Sequence, residues 1–196
     1  MTKKFLSLAC GIMLVVFANA QKHPRGIYMT ALDFENKKLS YSTSDPKDKN
    51  KIRFNELFGK PYVTIRHNGE KIVLFKDEIF AYRKNRNIIR THGFVSYNFI
   101  EQGVIWIYFR DLTISIGKGI KRERKYYYSV SAKDEIIPLT IHNLKRSFPQ
   151  KHLLHNFLDA QFKGDSELAS YNNFVNKFQV NHLLETTIFI TVNAIP

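Results

Sequence analysis

YVTIRHNGEKIVLF, residues 62–75, carries the strongest local instruction in the chain. Asn68-Gly69 is a pair that accepts positive φ at both centres of a two-residue hairpin turn. Folding the stretch about that pair sets His67 opposite Glu70, Ile65 opposite Ile72 and Val63 opposite Leu74. The aliphatic residues then share one face. Arg66 and Lys71 meet on the other, where mutual repulsion favours water. A slip of one residue would scatter the aliphatics, so the register is specified.

Outward from this hairpin, strands are predicted at 79–83, 88–92, 95–100, 104–109, 112–116 and 120–131, joined by Lys84–Asn87, Glu101–Gly103 and Gly117–Gly119. Short strands with tight turns predict an antiparallel meander over 62–131 and not a parallel α/β domain. VIWIYF at 104–109 is apolar on both faces, as a central strand covered on both sides requires. Upstream, Gly26–Met29 reads as a strand, and Thr30 with Asp33 forms a capping box for a short helix through Lys38. Ser44–Lys51 reads as a loop.

The C-terminal third, 139–185, reads as helical. Thr140 caps a helix ending before Pro149, and a second helix at 151–162 places Leu153, Leu154, Phe157, Leu158 and Ala160 on one face. A third is predicted at 166–182, capped by Asp165, with Leu168, Tyr171, Phe174, Val175 and Phe178 at helical period. TTIFITVN, 186–193, is β-branched and alternating, which predicts a last strand. The expected fold is α+β: an antiparallel meander sheet or partly open barrel of about seven to nine strands, with C-terminal helices packed on it.

The 196 residues fit one domain, or at most two small ones, and 44% hydrophobic content is enough for a core. Residues 1–20 read as an export signal: Lys3 and Lys4, a 13-residue apolar run from Phe5 to Phe17, then Ala18-Asn19-Ala20. Cleavage after Ala20 leaves one domain, 21–196, with no transmembrane stretch, 28 Lys and Arg against 17 acids, and no cysteine. That removes thiol catalysis, disulfides and thiolate metal sites together. The expected location is the periplasm, the outer membrane surface or the exterior.

GIYMTALDF (26–34), DEIFAYR (77–83), IIPLTIHNLKRSFPQKHLLHNFLDAQF (136–162) and LASYNNFVNKFQVN (168–181) resemble an uncharacterised group of secreted proteins from the Bacteroidetes phylum. The resemblance spans most of the chain after residue 20 and implies the envelope address and the fold, with no assigned activity or cofactor. The group's pattern favours an acid after the tyrosine at 171, where this chain has Asn172.

The chemistry-bearing stretch is IKRERKYYY, 120–128: Lys121, Arg122, Arg124 and Lys125 running into Tyr126, Tyr127 and Tyr128. Cations beside rings suit an anionic polymer or lipid headgroups, and export makes nucleic acid an unexpected partner. The same cations on an exposed strand can simply guard an edge against pairing. His152, His155 and Asp159 have metal-ligand spacing on a helix, yet they sit opposite Leu154, Phe157 and Leu158 on its wet side. No Gly-x-Ser-x-Gly elbow or phosphate-cradling loop occurs, and no cofactor is implied. The expected role is therefore non-enzymatic, binding or structural. The alternative is an envelope-polymer hydrolase using a carboxylate pair, and an interaction module with a large exposed apolar patch is a third reading.

Overall fold

The computed structural model describes residues 24–43, 50–56, 59–117 and 119–193, with side chains through 187. The stretch read as an export signal, 1–20, and most of the loop read at 44–51 lie outside the described residues. Strand β1 (Arg25–Tyr28) leads to Thr30, whose hydroxyl accepts the Asp33 N–H at 3.0 Å while the Asp33 carboxylate accepts the Thr30 N–H at 3.1 Å. This reciprocal cap starts α1 (Ala31–Glu35), which stops at Asn36, short of Lys38. Strand β2 (Tyr41–Thr43) returns beside β1.

Strands β3 (Lys51–Arg53), β4 (Tyr62–His67) and β5 (Glu70–Phe75) form a separate three-stranded sheet. The β4–β5 register is the one expected, from His67 opposite Glu70 to Val63 opposite Leu74. The hairpin therefore does not open the meander. Instead β6 (Ala81–Lys84) pairs with β1 and passes to β7 (Asn87–His92), β8 (Val95–Gln102), β9 (Trp106–Ile116), β10 (Gly119–Ser129) and β11 (Ile137–Pro138). The stretches 104–109 and 112–116 are thus mostly one strand of 11 residues. The fold is α+β, and its main sheet has eight antiparallel strands in the order β11-β10-β9-β8-β7-β6-β1-β2, not closed into a barrel.

One face of this sheet gathers Tyr28, Tyr97, Trp106 and Tyr108 around Phe34 of α1. The Phe34 ring lies 5.3 Å from Tyr28 on β1 and 5.4 Å from Trp106 on β9. Those strands stand four spacings apart, roughly 19 Å in a flat sheet, so the sheet is curled about this ring. The opposite face is covered in two places. Ile27, Tyr82 and Ile89 lie under Ile52, Val63 and Ile65 of the small sheet. Ile105, Ile107 and Tyr128 lie under the C-terminal helices. The 105–108 stretch is accordingly buried on both sides.

Thr140 caps α2 (Ile141–Ser147) by accepting the Asn143 N–H at 3.1 Å, and α3 (His152–Gln161) buries Leu154 and Leu158 while Leu153 and Phe157 stay partly exposed. Beyond α3 the chain departs from expectation. Asp165–Ala169 is a 3-10 turn, β12 (Tyr171–Asn172) and β13 (Lys177–Phe178) form a small hairpin, and α4 (Gln179–Asn193) follows. Leu168 and Phe178 are separate anchors, and Phe174 between them is 99% exposed, so the helical spacing was coincidental. Asp165 caps a different helix, accepting the Ile141 N–H at 2.8 Å. Residues 186–193 are helix and not strand. Val180 and Leu184 are fully buried, and Thr186 and Thr187 each donate at 2.8 Å to the carbonyl four residues back. Packing overrides β propensity there.

Asn181 locks α4 to the β8–β9 turn. Its Oδ1 accepts the Ile105 N–H at 3.0 Å, and its Nδ2 donates to Glu101 Oε1 at 2.6 Å and to the Ile105 carbonyl at 3.1 Å. Glycine is required at 103, where a Cβ would stand 2.6 Å from Asn181 Cγ. Among the described residues no helix is long and apolar enough to cross a membrane.

Candidate functional site

The basic stretch occupies one strand of a projecting arm. Strand β8 pairs with β9 only as far as Phe109, and β11 pairs with β10 only at Tyr127 and Tyr128. Among the described residues no strand pairs with the β9–β10 hairpin beyond Phe109 and Tyr126, and it continues to the turn at Gly117. Seven residues per strand give an arm of roughly 20 Å. Residues 110–125 hold six Lys and Arg against Asp111 and Glu123, a net charge of +4.

Cross-strand register divides these charges between two faces. Arg110 with Lys125, Leu112 with Glu123 and Ile114 with Lys121 share one face; Asp111 with Arg124 and Thr113 with Arg122 share the other. Arg124 meets Asp111 through two bonds of 2.8 and 3.0 Å and lies 3.9 Å over the Phe109 ring. Lys125 contacts Glu123. Hydrogen bonds from these cations hold the Asp111 and Glu123 carboxyls below the usual carboxylate range. Among the described residues Lys121, Arg122 and Arg110 make no ion pair; Arg110 is half-buried 5.5 Å over the Tyr97 ring, whereas Lys121 and Arg122 are exposed to an external anion.

The three tyrosines are anchors for the arm's base. Tyr128 is fully buried with its hydroxyl 2.7 Å from Ser147 Oγ, and burial raises its pKa. Tyr127 packs 5.1 Å from Tyr97 and Tyr126 6.3 Å from Phe178. The rings that the sequence set beside the cations are half-buried or buried, leaving aliphatic residues on the arm itself.

The histidine set is differently engaged. His155 Nε2 is 2.9 Å from the Phe148 carbonyl, and Lys145 Nζ reaches both Asp159 oxygens at 2.6 Å. His152 is exposed, with its ring edge-on to His155 at 5.9 Å. Among the described residues no group of three His, Cys, Asp or Glu side chains is placed to hold a metal.

Clefts among the described residues include three with polar linings. One of about 360 Å3 is lined by Thr30, Asp77, Glu78, Arg90, His92 and Lys133. Its floor holds the buried Arg90, which donates at 2.7 Å to the Phe80 carbonyl and at 3.2 Å to that of Ala132, and stacks 3.7 Å over the Phe80 ring. Burial lowers Arg90 to about 10, and its partners are carbonyls and a ring. Its role is to tie β7 to the segment after β10, and sequence reading missed it because Arg in an alternating strand reads as solvated. A second cleft, about 380 Å3, carries the adjacent acids Asp134 and Glu135. The third, about 670 Å3, carries Glu56, which contacts Lys84 and accepts from the Tyr82 hydroxyl at 3.1 Å.

Comparison with protein-family models, curated proteins and solved structures gives no match to this chain.

Proposed function

We propose that the protein is an exported, non-enzymatic binder of anionic envelope polymers or lipids, acting through the β9–β10 arm. The observation that supports this is the arm's isolation: a +4 hairpin with no strand paired to it among the described residues, in which the exposed Lys121 and Arg122 make no ion pair among those residues. An edge guard needs only a few cations on a sheet edge. Here the cations stand on an arm that extends past the sheet.

The hydrolase alternative needs two carboxylates facing across a cleft. The acids of the first two clefts are sequence neighbours, Asp77 with Glu78 and Asp134 with Glu135, and Glu78 accepts the Phe75 N–H at 2.7 Å. The test is binding of the purified protein to lipopolysaccharide and to dextran sulfate across a salt series. The expected result is binding that weakens steeply with salt, and falls about tenfold or more in Lys121→Ala/Arg122→Ala. Absence of binding even at low salt would mean that the charge is compositional.

A further inference from the structure

We propose that the tip of the β9–β10 arm inserts Ile116 and Ile120 into the headgroup boundary of an anionic phospholipid bilayer. This rests on the anionic-surface reading above and names the surface. Ile120 is 79% exposed and Ile116 56% exposed, on either side of the turn at Gly117, whose φ is +56. Ile116 stands opposite Gly119 and Ile120 opposite Ser115, so the two side chains leave from opposite faces of the ribbon. A protein or polysaccharide partner docking on one face would leave the other isoleucine in water. A bilayer boundary covers both.

The charges are ordered to match. Lys121 lies on the face of Ile114 and Arg122 on the face of Thr113, so both faces carry a cation one or two residues behind the apolar tip. That is roughly 3–7 Å of strand, the depth of a headgroup layer. The arm's two acids are farther from the tip and already paired with Arg124 and Lys125.

The test compares co-sedimentation of the purified protein with phosphatidylcholine vesicles, with vesicles that also contain phosphatidylglycerol, and binding to dextran sulfate as a soluble polyanion. Binding to the anionic vesicles is expected to exceed binding to the neutral ones. Ile116→Ser/Ile120→Ser is expected to weaken anionic-vesicle binding by about tenfold or more while leaving dextran sulfate binding unchanged. Both positions are exposed, so an unchanged thermal midpoint verifies the fold. The sole tryptophan, Trp106, is buried, so Ile120→Trp supplies an independent reporter, expected to shift to the blue and be quenched by brominated lipid. Wild-type vesicle binding by the double serine variant, with no quenching of the reporter, would overturn insertion while leaving the anionic reading standing. Loss of binding to vesicles and dextran sulfate alike in the wild type would overturn both.

Discussion

The β4–β5 and β9–β10 hairpins share one construction and have opposite fates. Each turns through a glycine of positive φ, Gly69 at +90 and Gly117 at +56, and each lines aliphatic residues along one face. In β4–β5, Val63 and Ile65 are 0% and 1% exposed, pressed onto Ile27 and Tyr82. In β9–β10 the row Leu112, Ile114, Ile116 runs from half-buried to exposed, beside Lys121 and Lys125. Pairing makes a hairpin, but only a second layer turns its apolar face into core. An apolar row left without that layer, among cations, is available for something outside the chain.

The sharpest way to break the comparison is to truncate equivalent side chains. Ile65→Ala is expected to cost about 3 kcal/mol in denaturant unfolding, through lost transfer energy and a cavity. Ile114→Ala on the arm is expected to cost under about 1 kcal/mol. Equal losses would mean that the arm is covered.

Polar anchoring should follow the same division. Asn181→Ala strands the Ile105 N–H and a Glu101 oxygen, for an expected loss of about 2 kcal/mol. Gly103→Ala is expected to destabilise the wild type and to do less harm in an Asn181→Ala background, with a coupling of about 1 kcal/mol in thermal unfolding. Simple additivity would contradict the close contact between these positions.

On the arm the electrostatics are exposed and act on binding more than on stability. Asp111 and Glu123 are held below their ordinary range, so their pairs contribute above that range and lose the contribution as pH falls through the lowered values. Solvent screening at these partly exposed pairs keeps the stability change small. Protonation removes two negative charges, so binding to dextran sulfate should strengthen as pH falls below the usual carboxylate range. Asp111→Asn/Glu123→Gln should bind more tightly at neutral pH and lose that pH response. The smallest effect is expected at Phe174, 99% exposed, where Phe174→Ser should alter stability by no more than about 0.5 kcal/mol.

Much of this architecture was legible where the deciding interactions are local. The His67–Glu70 register follows from the turn pair and the alternation beside it, and both N-caps, Thr30 and Thr140, bond within three residues. The candidate site was half legible. The cations of 120–128 stand on the arm as a sequence reader would place them, yet Tyr128 is a core residue because its partner Ser147 lies 19 positions away. The exposed pair Ile116 and Ile120 gave no signal, since an isoleucine in a strand reads as core until the strand is seen to outrun its sheet.

Sequence alone determined the α+β class, the β4–β5 hairpin with its turn, the Thr30 and Thr140 caps and the positive charge, all properties set by neighbours a few residues apart. Tertiary structure decided that β4–β5 joins β3 and β6 joins β1. It also decided that 186–193 is helical and that residues 110–125 project beyond the sheet. These outcomes depend on which surfaces meet across long stretches of chain, such as Asn181 with Ile105 across 76 positions. Burial energy, which no local pattern encodes, chooses among the alternatives.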